Sequence, residues 1–342
     1  MNTATTSTAS YGADEAGLVY GYLFSPGVCG GTVASAQAGD WLRDSSSRQK
    51  GEFIWLHFNA AHSSTEKWLR AHLDLPDAFF EALHEGSRST RIEQADGTLV
   101  AVLNDVIYDF ADVESLQIST LWLSVDATRL ISVRRQPLRS VDRLRTAVKA
   151  GECFPSAVAL VVHLLRDQAE VLTQIVRSTT TKVDSIEDTF LSGRLELKRA
   201  GLGSLRRDLV RVQRLLAPEP AALFRLLNRP PAWMEEQDIV ELRQSTEEFS
   251  VAIRDMTGLQ ERIKLLQEEI AAHISEQTSR SVFVLTAVTV LALPINMIAG
   301  LFGMNVGGVP LAQHTHGFWI VVALVGAFTA GAAWIAFRKR TS

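Results

Sequence analysis

VFVLTAVTVLALPINMIAGLF, residues 282–302, runs without a break into Gly303-Met304-Asn305. As a helix these 21 residues would rise roughly 31 Å, about the thickness of a hydrocarbon core. They lie inside a longer stretch, residues 281–337, that contains no Asp, Glu, Lys or Arg. A second apolar run, residues 318–337 (FWIVVALVGAFTAGAAWIAF), closes that stretch. Helices in the core of a soluble protein seldom stay apolar around their whole circumference for so many turns. Two such runs in succession predict a membrane hairpin. Arg280 stands just before the first run and Arg338-Lys339-Arg340 just after the second, while the loop between them has no positive charge. The positive-inside rule then predicts both chain ends in the cytoplasm and residues 303–317 outside. Trp319 and Trp334 stand near opposite ends of the second run, where their amphipathic rings favour the membrane interface.

Upstream of the membrane segment, Ile239, Leu242, Thr246, Phe249, Ile253, Met256, Gln260, Ile263, Gln267, Ile270, Ile274 and Gln277 recur at alternating steps of three and four. No proline interrupts this pattern before Pro294, and Gly258 weakens it by only about 1 kcal/mol relative to Ala. The spacing predicts one helix over residues 234–302, on the order of 100 Å long at 1.5 Å per residue. A rod of that length is expected to bundle with copies of itself. Residues 235–280 hold eleven acids and five bases. They read as a solvated face of paired side chains, with a cation-attracting vestibule as the second reading.

The remaining chain divides by its period. Residues 18–24, 53–58, 98–108, 115–125 and 129–134 are rich in branched and aromatic residues and read as strands, with short helices at 64–73 and 76–85. Past Pro137 the pattern turns helical at 141–149, 156–192 and 195–216, with breaks at Pro155, Gly193 and Pro218-Glu219-Pro220. In the second of these, Leu164, Gln168, Leu172, Ile175, Thr179, Lys182 and Ile186 mark a face for packing along another helix. The expected fold class is an α/β cytoplasmic domain plus a long stalk helix and two C-terminal transmembrane helices. Its expected parts are a disordered tail (1–15), the α/β domain (16–136), a cytoplasmic helical region (137–233), the stalk (234–281), the first membrane helix (282–302), the external loop (303–317), the second membrane helix (318–337) and a basic tail (338–342).

Composition excludes several classes of function. A net charge of -4 gives no basic face for nucleic acid. Cys29 and Cys153, the two cysteines of the chain, make neither a disulfide framework nor a zinc site, and read as reduced, buried apolar residues. Residues 1–10 lack the basic start and apolar core of a secretory signal. The glycine-rich residues 27–32 (GVCGGT) have no following P-loop lysine and no dinucleotide spacing, so no enzyme and no cofactor is expected.

A single hairpin cannot enclose water, whereas several around an axis can. In the first membrane run Asn296, Leu293, Thr289, Thr286, Val282 and Ser279 fall on one stripe, which holds most of its polar groups. These six are the candidate pore-lining residues, with helix–helix hydrogen bonding as the plainer reading. Pro294 frees one backbone carbonyl within the same run. At its end, Gly303 lets the chain leave the helix, Met304 packs the turn, and the Asn305 amide oxygen can meet a cation at the pore mouth. Neutral oxygens hold a hydrated divalent ion through its water shell and release it again. In the loop, His314 and His316 are candidate metal ligands, because neutral imidazole suits zinc better than magnesium. His57, His62, His72 and His84 have no ligand-like spacing and are assigned no role.

The triplet Gly303-Met304-Asn305 after the first of two C-terminal membrane helices resembles the mark of the CorA-like metal ion transporter superfamily. The resemblance extends over the α/β start, the long stalk helix and the basic tail. It implies a homopentamer with a cytoplasmic funnel, in a cell inner membrane. Magnesium-type members continue with Met-Pro-Glu, whereas this chain has Gly307-Gly308-Val309-Pro310 and no acid in the loop. That departure, together with residues 83–104 (LHEGSRSTRIEQADGTLVAVLN), resembles the ZntB zinc-transporter branch. The implied function is transport of a divalent cation, zinc by preference, with Mg²⁺, Ni²⁺, Cd²⁺ and Co²⁺ as other cargo. The alternatives are a CorA-type magnesium (or cobalt/nickel) channel and a membrane-anchored metal sensor without conduction.

Overall fold

The computed structural model describes residues 12–44, 46, 48–86, 90–108, 116–192, 199–304, 310 and 314–338, with the backbone alone at 199–200, 332–333 and 335–338. The chain divides into two compact units, residues 1–265 and 266–342.

The first unit is built on β3 (Phe53–Asn59), whose residues are buried almost without exception. A strand covered on both faces reads as a continuous apolar run rather than an alternating one. β3 pairs in parallel with β7 (Arg129–Arg134), Trp55 opposite Leu130. The other pairings are antiparallel, and the seven-stranded sheet runs β2-β1-β3-β7-β6-β5-β4. Here β1 is Leu18–Ser25, β2 Val28–Thr32, β4 Arg91–Ala95, β5 Thr98–Val106 and β6 Ile118–Val125.

Successive side chains of each strand serve opposite faces. Ile54, Leu56 and Phe58 join Val102, Trp122 and Val133 in a core with α1 (Ser35–Arg43), α2 (Thr65–His72) and α3 (Asp77–Glu85). Phe53 and Trp55 join Ala101, Leu123 and Leu130 on the other face, under α4 (Arg139–Lys149), α5 (Ala157–Leu191) and α7 (Pro218–Asn228). The result is a helix–sheet–helix sandwich around a mixed sheet.

α6 (Arg199–Leu216) and α5 pack along α8, which runs from Glu236 to Phe302 as one helix. The three–four pattern is buried as expected at Leu242, Thr246, Phe249, Met256 and Ile263. Part of that face is met within the chain. Arg262 of α8 reaches Asp184 (2.8 Å) and Glu187 (2.5 Å) of α5, and Gln213 of α6 donates to Thr257 Oγ1 (2.5 Å). The stretch around Thr257 and Arg262 thus meets helices of its own chain. On α5 the face falls where expected except at Lys182, which is exposed, while Val183 beside it is fully buried.

Four elements were not expected from the sequence. α7 begins at Pro218-Glu219-Pro220, residues read as a break. Proline is well placed in the first turn of a helix, where its missing N–H has no partner to lose. Glu219, fully buried, accepts the Asn104 N–H at 2.6 Å and Gln168 Nε2 at 2.9 Å, tying β5, α5 and α7 together. Burial pushes its carboxyl well above the usual range. β2 holds the glycine-rich stretch as an edge hairpin strand, α1 follows it, and β4 forms the opposite sheet edge.

The cysteines also depart from expectation. Cys29 of β2 and Cys153, before α5, form a disulfide across 124 residues, with Cα atoms 4.6 Å apart. Cys153 is exposed and Cys29 half-buried, so neither is a core residue.

Candidate ion path

The last six or so turns of α8 and the whole of α9 (Gly317–Arg338) make up the apolar part of the second unit. α8 contains a stretch long and apolar enough to cross a membrane, and residues Gly317–Gly331 of α9 form a shorter apolar helix. Large side chains stand open to the surroundings on both, among them Leu285 (69%), Val290 (60%), Met297 (61%) and Leu324 (63%). Trp319 and Trp334 are exposed as well. Water does not tolerate such a surface, so its solvent is lipid or further protein.

Exposure also distinguishes the sides of α8. Half-buried positions are Ala287, Leu291, Pro294 and Ile298, spaced three or four apart on one side, and Ala292, which falls next to Asn296 one turn on. Ser279, Val282, Thr286, Thr289, Leu293 and Asn296 are all exposed. At about 100° per residue this stripe centres roughly opposite the half-buried side. Thr289 returns its hydroxyl to the Leu285 carbonyl at 2.9 Å, which satisfies the donor while leaving oxygen lone pairs outward. The six residues named from spacing therefore share one uncovered face. Pro294 sits within the unbroken helix.

At the end of α8 the Gly303 N–H still bonds the Ala299 carbonyl, at 2.9 Å. A Cβ on Gly303 would meet that oxygen at 3.0 Å, so the close exit from the helix favours glycine. Met304 is 53% exposed. Asn305 lies outside the described residues, as do Gly307, Gly308 and Val309.

His314 and His316 precede α9, both exposed, with ring centroids 6.3 Å apart. His314 Nδ1 accepts the His316 N–H at 3.3 Å, which leaves Nε2 as its outward nitrogen. Among the described residues no group of three or more His, Cys, Asp or Glu side chains is arranged to hold a metal. The acids of α8 are partly engaged along the helix, Glu241 by Gln237, Glu248 by Gln244 and Glu261 by Lys264.

The histidines left without a role are structural. His72 stacks on Trp68 at 4.4 Å, and His84 meets Glu66 at 3.0 Å. His57 is fully buried in the sheet. Arg134 Nε donates to His57 Nε2 at 2.7 Å, so the proton sits on Nδ1, which donates to Ser132 Oγ at 2.7 Å. Burial, with Arg134 and Arg145 nearby, holds His57 neutral far below its usual pKa.

Comparison with known proteins bears on the whole arrangement. The chain is 27% identical over 331 residues to the divalent cation transporter CmaX of Pseudomonas aeruginosa, covering 96% of this chain and 97% of that one. It is 23% identical over 287 residues to the zinc transport protein ZntB of Pectobacterium carotovorum, covering 84% and 87%. The structure of full-length CmaX superposes with a TM-score of 0.81 at 26% identity, over 96% of this chain and 99% of that one. The CorA magnesium transporter of Methanocaldococcus jannaschii shares the fold, with a TM-score of 0.69 at 17% identity over 92% and 96%. The profile described as CorA-like Mg2+ transporter protein matches residues 50–339, and with a mixed-sheet soluble unit leading into a long helix and its apolar end, this chain belongs to that family of divalent cation transporters.

Proposed function

We propose that the chain conducts Zn²⁺ across a cell inner membrane, through a path lined by the apolar end of α8 in a ring of identical subunits. The observation that carries this reading is the exposed stripe from Ser279 to Asn296, set on the side of α8 away from half-buried Ala287, Leu291, Pro294 and Ile298. Hydroxyls and an amide on an uncovered face suit an ion that keeps its waters, since they offer oxygen without charging the membrane interior. Both helices cross the bilayer, with the chain ends in the cytoplasm. Five copies complete the ring, a number that rests on the family resemblance. Asn305 then supplies an amide from each subunit at the outer mouth, and His314 and His316 gather the ion beside it. Zinc as cargo draws support from the loop, which has imidazoles and no carboxylate, and from the ZntB relative.

The test is metal entry into vesicles reconstituted with the full chain, with Zn²⁺, Mg²⁺, Ni²⁺ and Cd²⁺ supplied separately, with and without a pH gradient. Zinc is expected to enter fastest, and Asn305→Ala is expected to slow it at least tenfold. Faster Mg²⁺ entry would reassign the cargo. Unchanged zinc flux in the Asn305→Ala protein would remove the amide ring. No flux of any metal through folded, inserted protein would leave the sensor reading in its place.

A further inference from the structure

In the soluble unit, well away in sequence from the membrane segment, a pocket of about 240 Å³ opens between the start of β1, the end of β7 and α4. Its polar lining is Tyr20, Tyr108, Arg134, Asp142 and Arg145, with Gly12 at one edge. Three features of this lining point the same way.

The first is hydrogen bonding. The Tyr20 hydroxyl and Arg145 Nε are buried and have no partner among the described residues. Buried donors are almost always paired in native proteins, so two such donors at one pocket call for an acceptor that the described residues do not supply. The second is rigidity. The Tyr20 ring stacks on His57 at 4.7 Å and makes a T-shaped contact with Trp55 at 5.1 Å, while the Arg145 guanidinium lies over the ring at 5.0 Å. Arg134 is anchored through its Nε to His57. The donors are therefore fixed before any ligand arrives, which lowers the ordering cost of binding.

The third is charge. Among the described lining residues two guanidinium groups face one carboxylate, Asp142, which stands 3.9 Å from Arg145, beyond hydrogen-bond length. His57, held neutral, adds nothing to the balance. Burial works against the charge on Arg134, and Asp142 offsets it only in part. About a third of the Arg145 side chain remains open to solvent, so an ion has a way in.

We propose that this pocket binds a small oxyanion of the phosphate class, held by Arg134, Arg145 and the Tyr20 hydroxyl. Guanidinium forks match phosphate oxygens in pairs. Asp142 selects among oxyanions: a hydrogenphosphate has an O–H to donate to its carboxylate, whereas sulfate at neutral pH offers only acceptors. Such a site makes the soluble unit a receptor for phosphate, independent of the ion path and of which metal it passes.

The test is calorimetric titration of the full chain in detergent with inorganic phosphate, with sodium sulfate and sodium chloride in parallel. Phosphate is expected to bind, and sulfate at least tenfold more weakly. Tyr20→Phe, which keeps the ring and its stacking, and Arg145→Gln are each expected to weaken phosphate at least tenfold, the scale of one lost charge-assisted hydrogen bond. Arg43→Gln, on an exposed helix end away from the pocket, is expected to bind as the parent does. Elution volume in size exclusion checks that each variant is folded. Absence of phosphate binding, binding that survives both pocket substitutions, or sulfate binding as tight as phosphate would overturn the proposal.

Discussion

Replacing Ser132 by Ala removes one oxygen and should destabilise the soluble unit out of proportion to its size. Ser132 is 2% exposed, and its Oγ receives hydrogen bonds from Trp55 Nε1 at 2.9 Å and His57 Nδ1 at 2.7 Å. Both donors are themselves buried, Trp55 at 1% and His57 at 0%. Without Oγ, two N–H groups remain in the core with no acceptor and no route to water. Each orphaned donor costs about 1–3 kcal/mol. Relief from burying the hydroxyl returns about 1 kcal/mol, leaving a net loss of about 3 kcal/mol. Against a total stability of about 5–15 kcal/mol that is a large fraction. The assay is urea unfolding followed by tryptophan fluorescence, where a slope of about 2 kcal/mol/M turns the loss into a midpoint about 1.5 M lower. Trp55→Phe in the Ser132→Ala background should cost less than in the parent, because one orphan is removed. A Ser132→Ala loss below about 1 kcal/mol, or strict additivity with Trp55→Phe, would refute the shared-acceptor account.

Two ionisable groups should shape the pH profile of the same unit. Burial raises the Asp105 carboxyl from 3.8 to about 6, against the opposing bonds from Ser140, so its stabilising contribution is complete below pH 3.8 and is lost as pH rises through about 6. A displacement of that size corresponds to about 3 kcal/mol, and Asp105→Asn should flatten the stability slope between pH 4 and 6. His163 is raised chiefly by its hydrogen bond to Asp167, at 3.0 Å, and its contribution should be complete below pH 6.5 and fade as pH climbs through its raised value. Unfolding of His163→Gln measured from pH 6 to 8 should lack that fade.

How much was legible depended on whether the signal was local. The apolar run at 282–302 and the polar stripe within it are periodic over many turns, and spacing alone placed all six stripe residues on one uncovered face. Strands β3 and β7 announced themselves by unbroken branched and aromatic residues. β2 did not, because an edge strand reading VCGGT buries none of its residues fully and shows no alternation. β4, reading RIEQA at the other edge, failed for the same reason. α7 was hidden by its own first turn, where proline marks a beginning as well as a break. A three–four seam such as that on α8 says that a helix is packed, not whose helix covers it, and here α5 and α6 of the same chain meet it. The Cys29–Cys153 pairing and the Tyr20–Arg134–Arg145 pocket join positions more than a hundred residues apart, which no window of sequence can juxtapose. The Gly-Met-Asn triplet was legible through resemblance, but its Asn305 lies outside the described residues.

Pro294 interrupts the ladder of α8 at one rung, since it has no N–H to offer the carbonyl of Val290. The rest of the apolar end, from Val282 to Phe302, is continuous helix. Compliance in a beam gathers at its weakest section. Any bending of this apolar end should be taken up at that missing rung, two residues from the Asn296 amide.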